Sequence, residues 1–161
     1  MRKALKFTTV LFVTLLLSCG GSDKKEESSS YGKKAPEKKE VKAPASQRID
    51  LSNKGIGSIT SVDLGLVVDQ DMAAQGKEVF EKMCTACHKA DKKFIGPSPK
   101  DILKRRSPEW VMNMILNPDE MVKRDPLAKD LLIEFNGSPM ANQNLTKEEA
   151  RAVLEYFRTL K

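Results

Sequence analysis

The residues Cys84-Thr85-Ala86-Cys87-His88 constrain what this chain can fold into more than any other stretch. C-x-x-C-H sets two thiols a helical turn apart, where both can add across the vinyl groups of one haem. It also delivers the adjacent imidazole to one face of the iron. A domain built on such a motif has to fold around a large flat group fixed to its own backbone. His88 is the only histidine in the chain, so no other imidazole competes for that iron. Other uses of a C-x-x-C pair fit less well. A thioredoxin-like redox pair belongs to a βαβ pattern that this sequence lacks. A closed structural zinc site takes four ligands, and the remaining cysteine, Cys19, lies far away in an apolar leader.

From Gln70 onward the composition is that of one small domain whose own core would be modest, and a covalently held haem would supply the missing apolar centre. Four helices are readable. Asp71 is expected to cap the first, whose stripe is Met72, Ala73, Gly76, Val79, Phe80 and Met83. Ser107-Pro108 opens a second through Trp110, Met114 and Ile115, with a stop near Asn117-Pro118. Asp125-Pro126 opens a third through Leu127, Leu131 and Leu132, ending by Asn136-Gly137. Thr146 and Glu149 form a capping box for the last, with the stripe Ala150, Val153, Leu154, Phe157 and Leu160. No alternating β-branched run occurs in this region, so the fold class expected is all-α. Glycine inside a helix costs about 1 kcal/mol against alanine, so Gly76 on an apolar face points to close helix–helix contact, with the C-terminal helix as partner.

The other end of the chain speaks to location. Arg2, Lys3 and Lys6 precede the apolar run Phe7 to Leu17 and then Ser18-Cys19-Gly20, the layout of a secretory signal. The run falls short of the roughly 20 residues that a spanning helix needs. Leu16-Leu17-Ser18-Cys19 resembles a bacterial lipoprotein signal, which would make Cys19 the lipidated first residue of the mature chain. Its three cysteines are then accounted for by one lipid and one haem. Losing Arg2, Lys3 and Lys6 with residues 1–18 lowers the formal net charge from +6 to +3, and no base-reading motif is present, so nucleic acid is not an expected partner. Residues 19–50 are rich in Lys, Glu, Ser, Pro and Ala with few bulky apolar residues, and are read as a disordered, lipid-anchored tether. Ser22-Asp23-Lys24-Lys25-Glu26-Glu27 would also suit a surface-export signal, although a plain solvated tether is the simpler reading. Residues 51–69 form an extension, either a short strand around Ile59 to Val68 or an arm on the domain that occupies residues 70–161.

Taken together, Gly76, Phe80, the attachment motif, Gly96-Pro97 and Ser138-Pro139-Met140 resemble the class I cytochrome c family, over about Met72 to Leu160. The resemblance implies one covalent haem c on Cys84 and Cys87, His88 as proximal iron ligand, and the Pro97 carbonyl accepting from its imidazole. It implies Met140 as the distal ligand, a soft thioether that favours ferrous iron. Many members carry a proline after that methionine; here Ala141 follows and Pro139 precedes it. Among the other methionines, Met72 and Met83 fall on the first helix's stripe. Met112, Met114 and Met121 could fill gaps in the haem pocket or supply the ligand instead. Trp110 is expected in the haem pocket, its N–H meeting a propionate, with an ordinary core role as the alternative.

Lys89, Lys92, Lys93, Lys100, Lys104, Arg105 and Arg106 against Asp91 and Asp101 would ring one side of the haem edge and steer an acidic redox partner, or simply form a solvated face. The function expected is one-electron transfer by a monomer in the bacterial periplasm or cell envelope, held to a membrane by its lipid. An oxidase, a reductase or a quinol-oxidising complex would serve as partner, with no catalysis by the protein itself. The alternative is a haem enzyme or gas-binding protein, peroxidase-like, with a labile distal site.

Overall fold

Four of the five helices described here begin at a residue whose side chain accepts from a free backbone N–H of the first turn, which is where local chemistry alone would start them. The computed structural model describes residues 43–161. In it α1 runs Gln70–Met83, α2 Pro108–Leu116, α3 Pro118–Arg124, α4 Pro126–Glu134 and α5 Lys147–Thr159, with a 3-10 turn at Ile102–Lys104. Among the described residues there is no strand, only an isolated bridge between Asp50 and Arg106. The all-α expectation holds. The expectations for residues 1–42, which include the leader, Cys19 and most of the tether, lie outside the described residues.

Ser107 Oγ accepts from the Trp110 N–H, Asp125 Oδ1 from the Ala128 N–H, and Thr146 and Glu149 close a reciprocal capping box. Proline opens α2, α3 and α4, where its missing N–H costs nothing. Two boundaries differ from the sequence reading. Asp69 caps α1 rather than Asp71, accepting from the Met72 N–H at 2.9 Å, while its own N–H is fixed by Glu155 of α5 at 2.8 Å. Asn117-Pro118 is a corner and not a stop: Asn117 closes α2 by donating to the Asn113 carbonyl, and Pro118 opens α3 at once.

The main helix contact is between α1 and α5. A Cβ on Gly76 would lie 2.7 Å from the Val153 nitrogen and closer still to the Ala152 carbonyl, so only glycine lets these backbones meet. Phe80 then reaches Phe157 edge-on, centroids 5.6 Å apart, and Tyr156 at 5.5 Å. Behind this pair, Trp110, Val111, Met112 and Ile115 of α2 join Met121, Leu127, Ala128, Val153 and Leu154 in one buried cluster.

The extension takes the arm form. The Asn113 side chain donates to the Lys54 and Ile59 carbonyls and accepts from the Ile59 N–H, and Met121 Sδ accepts from the Ile56 N–H at 3.0 Å. Arg151 donates to the Asp63 carbonyl, and Arg158 to those of Gly65 and Val67. Both arginines pair with Glu155, a fully buried carboxylate. Burial alone would raise the pKa of Glu155. The Arg151 and Asp69 hydrogen bonds and the two guanidinium charges outweigh it and hold the carboxyl below its ordinary value.

The tether expected as far as residue 50 stops short of it. Ala45 is buried, Ser46 donates to Glu134 through both its N–H and its hydroxyl, and Arg48 pairs with Asp130 at 2.7 Å. A polar composition therefore conceals residues that side chains of α4 and Arg106 hold on the domain.

Candidate functional site

The C-x-x-C-H residues follow the last turn of α1. Cys84 ends that helix by donating to the Phe80 carbonyl, and the N–H groups of Cys87 and His88 both turn back to the Cys84 carbonyl. The next loop is tied to this turn, with the Gly96 N–H on the Cys87 carbonyl at 2.9 Å and Ser98 Oγ on that of Ala90 at 2.7 Å. It brings the Pro97 carbonyl to 2.8 Å from His88 Nδ1. A carbonyl only accepts, so Nδ1 carries the hydrogen and Nε2 of the neutral ring keeps its lone pair for a metal. A Cβ on Gly96 would lie 2.5 Å from His88 Cε1, so the glycine is what admits the imidazole to this position.

His88, Cys84 and Cys87 line a single cleft with Met140, Pro97 and Trp110. It holds about 200 Å³ of space that water could occupy and opens to solvent at its mouth. Its walls are apolar, from Ile102, Met114, Leu131, Leu132 and Phe135. A flat macrocycle fits such a space: two thiols and an imidazole at one side, a thioether on the loop before α5, and hydrocarbon between. Apart from Met114, these wall residues were not singled out from the sequence as site residues. Leu131 and Leu132 carry no sign beyond their helical stripe, and Phe135 ends α4 with no distinguishing pattern.

The cleft bears on several of the alternative readings. Burial and the adjacent Cys87 push the Cys84 thiol up to about 11, the opposite of the acidic thiol that a thioredoxin-like nucleophile needs. No cluster of three or more His, Cys, Asp or Glu side chains suited to a metal occurs among the described residues. Met112 and Met121 are buried in the protein core outside the cleft, and Met121 Sδ is already engaged, so neither can supply a ligand. Met83 and Met114 share the cleft with Met140.

Trp110 lines the cleft, but its indole N–H donates to Asp125 Oδ1 at 3.2 Å. The expected propionate contact is therefore replaced by a bond inside the protein, because Asp125 caps the neighbouring α4. The basic stretch is also smaller than expected. Arg106 is 1% exposed, Arg105 is half-buried against the cleft, and Lys104 pairs with Asp101 at 2.9 Å. Lys89 folds back over Phe94, and Lys92, Lys93 and Lys100 are exposed, Lys93 with its ammonium over the Phe135 ring.

Residues 73–161 match the family described as cytochrome c. Comparison with curated proteins gave no match. Among solved structures, a cytochrome c from Rhodothermus marinus is 41% identical, with a TM-score of 0.63 over 73% of this chain and 93% of its own. An engineered form of the Rhodothermus marinus protein is 40% identical at a TM-score of 0.63, over 73% of this chain and 94% of that one. A third structure, of that engineered protein bound to a carbene intermediate, is 40% identical at a TM-score of 0.60 with the same coverage. The motif, the cleft and these similarities agree: the chain belongs to the cytochrome c family, as a class I, single-haem electron carrier that binds haem c covalently.

Proposed function

We propose that this protein is a membrane-tethered one-electron carrier in which Cys84 and Cys87 bear the haem and His88 and Met140 hold its iron. The observation that carries the reading is the shared cleft: both cysteines, a histidine whose Nε2 is left free by the Nδ1–H bond to Pro97, and a loop methionine all line it. When bound, the haem supplies one-electron ferric–ferrous chemistry. The protein's part is to hold the imidazole in one tautomer through Pro97, to offer a thioether that favours the reduced state, and to keep water from the ring with its apolar walls. With His88 and Met140 both holding the iron, substrate would have no place on it.

Covalent haem survives denaturation, so a peroxidase stain on a denaturing gel should mark the full-length protein and fail with Cys84→Ala/Cys87→Ala. The weak red charge-transfer band of methionine–iron ligation should appear in the ferric spectrum and vanish in Met140→Ala. It should persist in Met114→Ala and Met83→Ala; loss of the band in Met114→Ala alone would transfer the ligand role.

In this reading Cys19 is the lipid anchor and the residues after it, short of the segment held on the domain from Ala45, are the tether that keeps the carrier at a membrane of the bacterial envelope. The sequence pattern at Leu16 to Cys19 supports this. Labelled palmitate should enter the unmodified protein and not Cys19→Ala. The partner is an acidic redox surface on an oxidase, a reductase or a quinol-oxidising complex, met by Lys92, Lys93 and Lys100. Its association rate should fall as salt rises.

The second reading, a haem enzyme or gas-binding protein with a labile distal site, draws on the Met140 loop. Pro139 and Ala141 are exposed, and the loop's tie to α2 is one long contact, Asn142 Nδ2 to the Leu116 carbonyl at 3.4 Å. A high-spin ferric spectrum in the unmodified protein would favour it over the carrier.

A further inference from the structure

Asp125 is a buried carboxylate, 3% exposed, to which the electron-carrier reading gives no part. Its Oδ1 accepts from the indole N–H of Trp110 at 3.2 Å and from the backbone N–H of Ala128 at 2.8 Å, and its Oδ2 accepts from Asn53 Nδ2 at 2.7 Å. An indole N–H and a backbone N–H can only donate. The Asn53 amide is fixed in orientation as well, because its Oδ1 takes the Gly55 N–H at 2.8 Å and so turns the NH2 group toward Asp125. Every neighbour therefore presents a hydrogen, and the carboxyl sits here as a pure acceptor, the form that carries the charge. Among the described residues no cation lies within ion-pairing distance of it. Arg106 stacks over the Trp110 ring, 5.3 Å from its centroid, and lessens the field of the carboxylate without pairing with it.

The position of this charge gives it a target. Trp110 and Ala128 both line the cleft, so Asp125 lies one residue behind the wall. A negative charge beside a redox centre favours the more positive state of that centre, and salt screens a buried charge little. Two of its three donors belong to the stretch 73–161 that matches the family, whereas Asn53 lies outside it, on the arm. Asn53 is itself pinned at the backbone: its N–H donates to Asp50 Oδ1 at 3.0 Å, and its carbonyl accepts from the Ser107 hydroxyl at 2.6 Å.

We propose that Asp125 is a fixed negative charge behind the cleft wall that lowers the reduction potential of this carrier, and that Asn53 of the arm is the positioning residue that holds it there. The proposal rests on the haem reading above. Neither residue lines the cleft. Asp125 acts through its field, and Asn53 acts by orienting Asp125. The arm is then more than a cover for α2 and α5, because its residue 53 helps to set the balance between ferric and ferrous states.

The test is the reduction midpoint potential of the full-length, haem-loaded protein, with the melting temperature as a second readout. Asp125→Asn keeps an acceptor for Trp110 and Ala128 and removes the charge. It should raise the potential, by about a three- to tenfold shift in the ferric-to-ferrous ratio at fixed poise, tenfold being 59 mV for one electron. Asn53→Asp adds a second carboxylate and should lower the potential. Each single variant sets like groups face to face, two NH2 groups in the first and two carboxylates in the second, so both should melt earlier. The exchange Asp125→Asn/Asn53→Asp restores the bond with its direction reversed and moves the charge one side chain farther from the cleft. Its melting temperature should recover, and its potential should lie between those of the unmodified protein and Asp125→Asn. A merely structural role would move the potential with stability, in the same direction for both single variants. That result overturns the proposal, as does an unmoved potential in Asp125→Asn or an exchange variant outside the stated interval. Should a single variant fail to fold, the exchange variant, which keeps every bond, still decides by rising above the unmodified protein or not. Absence of haem staining in the unmodified protein would instead overturn the reading on which the proposal rests.

Discussion

Gly96 is the most exposed point of the proposed ligand geometry to a single methyl group. A Cβ there would lie 2.5 Å from His88 Cε1, 2.9 Å from Nδ1 and 3.0 Å from Nε2. Carbon atoms in good contact stand about 3.5–4.0 Å apart, so ring and loop must separate by about 1 Å. The loop is poorly placed to give way. The Gly96 N–H is on the Cys87 carbonyl at 2.9 Å, its carbonyl accepts from Phe94 at 3.1 Å, and Pro97 restricts its backbone. If the ring yields, the Nδ1–H bond to Pro97 stretches from 2.8 Å to about 3.8 Å and is lost. Such a bond is worth about 1 kcal/mol, and overpacking adds about 1–3 kcal/mol of destabilisation. An imidazole without its acceptor is less basic and supports ferric iron less well. If the whole 1 kcal/mol is felt as a difference between oxidation states, the ratio shifts about fivefold, or about 40 mV upward at 59 mV per tenfold. Gly96→Ala should therefore raise the midpoint potential in a spectroelectrochemical titration and lower the melting temperature followed by circular dichroism. A melting temperature that falls while the potential stays fixed would mean that the loop moved instead of the ring. That result would refute the argument.

Gly76→Ala should destabilise the protein by about 2 kcal/mol or more despite alanine's better helix propensity, because the clash is with the α5 backbone. Thermal melts check this, and Ala152→Gly should give no rescue, since that change leaves the obstructing carbonyl in place. Asp125→Ala removes a cap from α4 and the acceptor of the Trp110 N–H together, and should cost about 2–4 kcal/mol in urea unfolding. Glu155→Gln should lower stability at neutral pH and speed hydrogen exchange around residues 63–69. The native carboxyl titrates below its ordinary value, so its contribution is present above about pH 4.3 and is lost as pH falls through the lower, folded value. The stability gap between the two proteins should therefore close in acid.

What the sequence disclosed and what it hid divide by the range of the interactions involved. Ser107-Pro108, Asp125-Pro126 and the Thr146–Glu149 box mark their helices correctly because a cap is chemistry between residues three apart. The start of α1 was misplaced by two residues because Asp69 and Asp71 are equivalent locally, and only Glu155, in the last helix, distinguishes them. α3 was missed because Asn-Pro ends one helix and begins another with the same two residues. Residues 43–69 are held by Asn113, Arg106, Arg151 and Arg158, each distant in sequence, so no local pattern could show them. At the site, the attachment motif was legible because haem addition fixes residue type and spacing, whereas Pro97 was legible only through the family resemblance, since any residue's carbonyl could accept from the imidazole. Arg106 read as one more surface cation, since charge in a sequence carries no sign of burial.

The two kinds of contact around the cleft suggest why the domain is built as it is. Near His88 the restraints are short-range: a backbone turn, a tied loop and a glycine that admits the ring. Near Arg105 and Arg106 they are long-range, and they run through a segment that the rest of the fold must first capture. The first set joins residues within 84–97 and needs no partner distant in sequence. The second set exists only in the finished structure, because it requires residues 45 to 48 against α4. Electron transfer is fastest when the surroundings of the iron move little between oxidation states. Carbonyls locked on a buried guanidinium and on an imidazole N–H are dipoles that cannot reorient freely as water would. Both sets of restraints therefore serve the same end, and loosening either one should cost the carrier rate as well as shift its potential.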